Sequence, residues 1–417
     1  MSEVSRDALT KLLRQIENAA CRDGADVVPT ELPRRATRLL FSPGSLPQYE
    51  KIRTHAEKAA CNGSLQLAER SGAIRIEWDP RADDRSQVLA IEAVGFEALA
   101  RLLGVAPRWN QLKVARDAFA PLMARHPVLD ELVRSWAQEG APRKSRLGAE
   151  GVKDWLDSAA VVDWARKRAL EGTSDDIAMR RLSTILFSDS KRLEDLAGLV
   201  DILTQGELGG LVRDTEEVFK ELGIAKFPSP FLVGAPGMSA RCGDLPVPCP
   251  RPYLGLASSS ITGFALDAAR AAAPVVLSVE NLTTFHELCP LVPPQGILLY
   301  TGGMPSPSWL GLYRVLLAAL PPGAAVWHWG DIDGGGFRIA NRLAMSCAEA
   351  GRTLLLHSMA VGSALVRRAM AEAEVGQVAS ICERWGWGQE LAFVAELRVA
   401  LEQEGMSPSF PGTAAPM

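Results

Sequence analysis

The sequence predicts an α/β domain, a mostly parallel sheet flanked by helices, C-terminal to an α-helical region and a winged-helix-like N-terminal module. Three observations predict it. From about Pro228 onward, short apolar runs of strand length alternate with segments of helical period. Between residues 86 and 204 the apolar residues recur at helical spacing throughout. The first 80 residues read as short helices followed by the alternating Ala73-Ile74-Arg75-Ile76-Glu77-Trp78.

In the C-terminal part, spanning 228–406, strands are expected at 275–279, 296–300, 324–329 and 353–356, with helices at 282–288, 309–320 and 337–350 between them. A β-α-β-α-β-α-β order of this kind implies a largely parallel sheet joined by right-handed crossovers. The Gly- and Pro-rich stretch from Gly234 to Pro252 reads as loop. Helical segments at 363–372, 375–385 and 390–404 are expected to close the domain, and residues 407–417 to form a loose tail.

The middle region, 86–204, predicts helices at 88–103, 111–124, 129–138, 152–170, 176–186 and 190–203, with a basic exposed loop at 140–146. Trp109, Trp136, Trp155 and Trp164 fall at helical spacing among apolar residues and are expected to anchor cores. In the N-terminal module, 1–80, helices are expected at 9–20, 34–40 and 48–60, with a polar, proline-marked stretch at 26–33. Arg34, Arg35, Arg38, Lys51, Arg53 and Lys58 there face only Glu31, Glu50 and Glu57. Phosphate contacts need such a local excess of positive charge, although a solvated helix face has the same composition.

Composition excludes several classes. Hydrophobic residues are 47% and charged residues 23%, ordinary for a globular chain. No apolar run reaches membrane-spanning length, and the first residues lack a signal-peptide pattern, so a cytoplasmic protein without membrane contact is expected. Seven cysteines lack zinc-type CxxC spacing and read as reduced structural thiols. The net charge of −4 advertises no global affinity for nucleic acid.

The chemistry concentrates in Val326-Trp327-His328-Trp329-Gly330-Asp331-Ile332-Asp333-Gly334-Gly335-Gly336. Residues two apart on a strand share a face, so Asp331 and Asp333 can project side by side. The 275–279 strand ends in Glu280; if the two strands are neighbours, all three carboxylates meet at the carboxyl edge, where open α/β sheets bind ligands. Three such charges repel unless a cation neutralises them, and Mg²⁺ suits an all-oxygen set. His328 is expected to pack within the strand. Upstream, Asp189 and Ser190 mark a helix start beside Lys191 and Arg192, which can hold a phosphate or reflect simple capping.

The glutamate-ended strand followed by a DxD strand is similar to the Toprim domain. HWGDIDGGGFRIANRLA, SVENLTTFHEL and LSTILFSDSKRLEDL resemble elements of the Toprim nuclease subunits of Wadjet plasmid-defence systems, the JetD family, which includes MksG of MksBEF condensins and is related to topoisomerase VI. This resemblance covers about the second half of the chain, from near Asp176 to near Glu404. It implies a metal-dependent DNA endonuclease acting on plasmid or other circular double-stranded DNA, as a homodimer partnered by a condensin-like SMC–kleisin complex. It implies Glu280, Asp331 and Asp333 as catalytic metal ligands for two Mg²⁺ or Mn²⁺ ions, Glu390 as a further metal ligand, and Lys191 and Arg192 as DNA contacts, while Arg34, Arg35 and Arg38 are candidate DNA contacts from their local charge excess alone.

The chain departs from Toprim topoisomerases where glycines follow DxD and where no tyrosine motif surrounds Tyr49, the one tyrosine in the N-terminal module. Hydrolysis by water is therefore expected over a covalent tyrosine link. Two other readings stand beside the nuclease: a non-catalytic DNA-binding adaptor of an SMC complex, and a HAD-like phosphatase with Asp331 as nucleophile.

Overall fold

The computed structural model describes residues 1–20, 34–82, 86–138, 147–173, 175–227, 229–267, 274–360 and 367–411. The expected stretch at 26–33 and the basic loop at 140–146 lie outside the described residues. The chain forms two compact units, Met1–Ala159 with Gln205–Gly209, and Ala160–Thr204 with Gly210–Met417.

The first unit opens on α1 (Glu3–Ala20), whose buried Ala8, Leu9, Leu12, Leu13 and Ile16 form one apolar stripe at helical spacing. Then come α2 (Arg34–Thr37), β1 (Arg38–Leu40), α3 (Pro47–Glu50) and α4 (His55–Arg70). Thr54 caps α4: its hydroxyl oxygen accepts from the Glu57 N–H, and the hydroxyl donates back to the Glu57 carboxylate at 2.7 Å. β2 (Ile74–Trp78) and β3 (Val88–Ala93) form an antiparallel hairpin, and β3 also pairs with β1, giving the order β1-β3-β2. Helices α5 (Phe96–Leu103), α6 (Arg108–Phe119) and α7 (Val128–Ala137) follow, and the boundary between the units falls within α8 (Ala149–Leu170).

Three expectations fail in this unit, the first being the helix at 48–60, which is broken between α3, ending at Glu50, and α4, starting at His55. The 34–40 segment is not one helix, because Arg38, Leu39 and Leu40 join the sheet. Nor is 88–103 helical throughout: Val88, Ala90 and Ile91 bury against the hairpin as strand residues, and the helix begins only at Phe96. Sheet pairing overrode the local helical period in these last two places. Trp109, Trp136 and Trp155 are buried as expected, whereas Trp164 is only half-buried, with the Arg168 guanidinium over its ring.

The second unit carries β4 (Ile177–Ala178), α9 (Met179–Phe187), α10 (Arg192–Gln205), α11 (Thr215–Glu221) and β5 (Ile224–Ala225), then β6 (Phe231–Gly234), β7 (Met238–Cys242), β8 (Leu245–Pro248), β9 (Leu254–Leu256) and β10 (Gly263–Leu266). The expected loop at 234–252 is thus largely strand: β7 pairs with β8 and β10 in a small antiparallel sheet, while β6 and β9 extend the main one.

The main sheet is built by β11 (Val275–Val279), α12 (Leu282–Leu288), β12 (Gly296–Tyr300), α13 (Pro307–Ala319), β13 (Ala325–Trp329), α14 (Gly334–Glu349) and β14 (Leu354–Leu356). Its order is β14-β13-β11-β12-β6-β9. The first four strands run parallel, and β6 is antiparallel to β12. Strands covered on both faces read as continuous apolar runs, which VVLSV and GILLY are.

The C-terminal segment departs most from expectation. The helix expected at 363–372 is, where described, β15 (Arg367–Ala369); α15 (Glu372–Trp385) and α16 (Gly388–Leu397) follow, and the chain then leaves the expected 390–404 helix for β16 (Val399–Leu401). Arg398 takes the left-handed conformation that stops α16, with φ 49°. β16 pairs with β15 and bridges Ile332 through Leu401, with mutual backbone hydrogen bonds of 2.9 and 3.1 Å. The expected loose tail is also packed at its start. Phe410 is buried with its ring against Gly296, and His357 Nε2 lies 3.0 Å from the Ser409 carbonyl.

Candidate metal centre

β11 and β13 are adjacent and in register, Val279 opposite Trp329, so Glu280 and Gly330-Asp331 leave the sheet at the same edge. The Glu280 backbone N–H donates to the Trp329 carbonyl at 3.2 Å, and the Glu280 carboxylate accepts from the Asp331 N–H at 3.2 Å. Gly330 permits this approach. A Cβ there would sit 2.9 Å from both Glu280 Oε2 and His328 Nε2.

Asp333 closes the loop as the N-cap of α14, its Oδ1 accepting from Gly336 N–H at 2.8 Å. The three glycines are therefore the first turn of the helix rather than a break before it. Gly336 in particular has no room for a side chain, since its Cβ would meet the Asp331 carbonyl at 2.0 Å. Asp333 Oδ2 lies 3.8 Å from Arg368.

The electrostatics follow from burial. Removal from water, with the Asp331 charge adding, pushes the Glu280 carboxyl up to about 8. Burial raises Asp331 to about 7 against a 2.6 Å hydrogen bond from the Gln403 N–H, and the charges of Glu402 and Asp333 add to the rise. Around them Glu374 and Glu217 have arginine partners. Glu374 binds Arg368 through both oxygens at 2.8 Å and accepts from Gly334 N–H, which holds it at about 2. Glu217 binds Arg338 at 2.6 and 2.8 Å. An open cleft of about 310 Å³ beside Glu280 is lined by Asp214, Glu216, Glu217, Lys220 and Gly335 among others.

The donor chemistry fits a hard divalent cation: the facing groups are oxygen donors, and Glu280 and Asp331 lack a cationic side-chain partner among the described residues. The ligand cage itself is not closed. Among the described residues no three His, Cys, Asp or Glu side chains are grouped so that they could hold a metal ion as they stand. Glu280 and Asp331 adjoin; Asp333 gives one oxygen to its helix cap.

Other expected residues fall elsewhere. Glu390 sits in the first turn of α16, where its charge acts on Cys382 of α15; the acidic neighbour of Asp331 is Glu402 instead. Lys191 is exposed, but its backbone N–H is taken by Asp189 Oδ1 at 2.9 Å, and the Leu193 N–H by Ser183 Oγ at 3.2 Å. The head of α10, with Arg192 as its first residue, is thus capped from within the chain. Arg35 is exposed, and the Arg34 side chain lies outside the described residues. Arg38 is not a spare cation, since Glu77 takes its guanidinium in two hydrogen bonds of 3.0 and 2.6 Å.

His328 is fully buried in β13 as expected, with Nδ1 3.0 Å from Ser278 Oγ; burial lowers it to about 3, so it is neutral. Tyr49 is a packing residue whose hydroxyl accepts from the Val88 N–H at 3.0 Å. Sequence reasoning missed Glu402 and Gln403, whose only signal was an acid-amide pair inside an apparent helix.

Two comparisons bear on these residues. Residues 245–407 match the family model described as Wadjet protein JetD, C-terminal, a span that includes Glu280, Asp331, Asp333 and Gln403. The chain is 23% identical over 301 residues to the Wadjet protein JetD of Bacillus cereus (strain Q1), covering 70% of this chain and 71% of that protein. With the paired strand ends and their carboxylates in the matched span, the C-terminal part of this chain is similar to Wadjet protein JetD.

Proposed function

We propose that this chain is a metal-dependent DNA endonuclease, cutting plasmid or other circular DNA as the nuclease component of a condensin-like SMC defence complex. The observation that carries the proposal is the Glu280 carboxylate seated against the Asp331 N–H at the shared end of two parallel strands. Likeness to a protein named for Wadjet supports the partner complex. The Toprim resemblance supports the reaction and a homodimer with one site for each strand of the duplex.

Glu280 and Asp331 would hold the cation, with Asp333 contributing the oxygen that faces Arg368. A bound divalent cation supplies Lewis-acid polarisation of the phosphate and lowers the pKa of a water. The chain's own groups do the rest. Asp333 fixes the head of α14 and so the spacing of the DxD loop, and Arg368 and Arg338 are kept near the edge by Glu374 and Glu217. Glu280, raised to about 8, can carry a proton on its carboxylate near neutral pH.

The experiment is cleavage of supercoiled plasmid with Mg²⁺ or Mn²⁺ by the chain together with its SMC complex, for wild type and the Asp331→Ala, Asp333→Ala double variant. Lost cutting with retained DNA binding is expected. Retained cutting refutes the site. One observation favours the adaptor reading, namely the absence of a ready three-ligand group among the described residues. Wild type that binds DNA and the complex yet cuts nothing with either metal would select it. Turnover of a small phosphoester without DNA cleavage would select the phosphatase.

A further inference from the structure

Gln403 is fully buried beside the two strand ends, and its side-chain amide is used at both ends. Its Oε1 accepts from the Asn281 N–H at 3.0 Å, the residue after Glu280. Its Nε2 donates to the Trp329 carbonyl at 2.8 Å, two residues before Asp331. Its backbone N–H donates to Asp331 Oδ1 at 2.6 Å. One residue therefore spans the exit of β11, the exit of β13 and the first aspartate itself. The segment that delivers it is held in place by the Ile332–Leu401 bridge.

We propose that Gln403 is the positioning residue of the cation site, its side chain setting the separation and orientation of the Glu280 and Asp331 carboxylates. Geometry supplies the reason. Glu280 and Asp331 repel, and among the described residues neither has a cationic side-chain partner, so their spacing rests on the backbone from which they project. The parallel ladder ends at Val279 and Trp329. Beyond it, the amide of Gln403 continues the cross-strand link, one acceptor to one exit and one donor to the other. A carboxamide is the side chain that offers both at this length. Outer groups of this type orient metal ligands, and their loss weakens metal affinity about 10–100-fold.

The inference rests on the metal reading above, so the test separates the two. Mn²⁺ binding to the full chain is measured by titration calorimetry for wild type, Asp331→Asn and Gln403→Met, with thermal unfolding in chelator and in Mn²⁺. Wild type is expected to bind and Asp331→Asn to bind far more weakly. Gln403→Met should bind about 10–100-fold more weakly than wild type and lose most of the Mn²⁺-induced rise in Tm. A purely structural role would lower Tm in chelator and leave the Mn²⁺ affinity of the folded protein unchanged, which overturns the proposal. Equal Mn²⁺ binding by wild type and Asp331→Asn, or none by either, overturns the metal reading and the role of Gln403 with it. Should Gln403→Met not fold, Gln403→Glu keeps the acceptor for Asn281 but loses the donor to Trp329. Weakened binding there supports the proposal, unchanged or tighter binding refutes it, and loss of fold in both variants makes Gln403 structural and also refutes it.

Discussion

The end of the parallel strands carries two kinds of carboxylate. Glu217 and Glu374 are each gripped by an arginine through both oxygens, and Glu374 is held at about 2. Glu280 and Asp331 receive backbone N–H groups but no arginine among the described residues, and are pushed up to about 8 and 7. All four lie in one unit of the chain, so composition does not separate them; partners do. Where a guanidinium grips both oxygens, as at Glu217 and Glu374, the acid is structural. Where the fold withholds one from a desolvated acid, the site is left to bind a proton or a cation. Arg38 teaches the same from the basic side, since a cation matched by Glu77 adds little to a DNA surface.

The strongest way to break this contrast is Glu280→Ala. If the unmatched pair is the reactive one, metal-dependent plasmid cutting should fall by about 10³-fold or more, as several kcal/mol of transition-state stabilisation are lost. Glu374→Ala, measured in the same assay, should leave most cutting in place. Equal losses would erase the distinction between the two kinds of carboxylate.

Next in size is a steric test. Gly336→Ala pushes a methyl group into the Asp331 carbonyl, so the loop must shift, at a cost of about 1–3 kcal/mol or more read as lowered Tm. Gly335→Ala, whose added carbon would meet nothing nearer than 3.1 Å, should cost less. The reverse order would mean that the DxD loop is not held as described.

The two classes should also titrate in opposite directions. Glu280 is raised from 4.5 to about 8, so its contribution to stability is complete below pH 4.5 and is lost as pH rises through 8. Glu374 is lowered from 4.5 to about 2, so its contribution is complete above pH 4.5 and is lost as pH falls toward 2. In chelator, Tm of wild type should therefore fall between about pH 5 and 8.5, and Glu280→Gln should flatten that fall. Added Mg²⁺ should raise Tm more at the alkaline end of that window than at the acid end. A Mg²⁺ effect independent of pH would remove the carboxylates as its cause.

The smallest expected effect is at the N-terminal sheet. Glu77→Gln releases the half-buried Arg38, costing about 0.5–1 kcal/mol in stability. If Arg38 can then reach a phosphate, affinity for nonspecific duplex DNA should rise and the salt dependence steepen by about one counterion. Unchanged binding would place any DNA contact elsewhere.

The central strands and helices were legible because they are long apolar runs bounded by turn residues. The strands 275–279 and 296–300 match the expectation to the residue. The short β-elements were not legible. β1, β15 and β16 are three residues each, stabilised by partners far along the chain, and their own residues are equally good in a helix. For the same reason Glu390 lies on a helix that the sequence shows, while Glu402 and Gln403 are hidden in an apparent one.

By itself the sequence determined the alternating α/β order and the three acids at strand ends, because strand period and apolar length are local properties. Only the tertiary structure decided that β13 lies beside β11, which acids receive an arginine, and that the chain returns through β16 to place Gln403 between the two strand exits. Those are long-range pairings, and a pattern within one segment carries no information about which distant segment will satisfy its last hydrogen bonds.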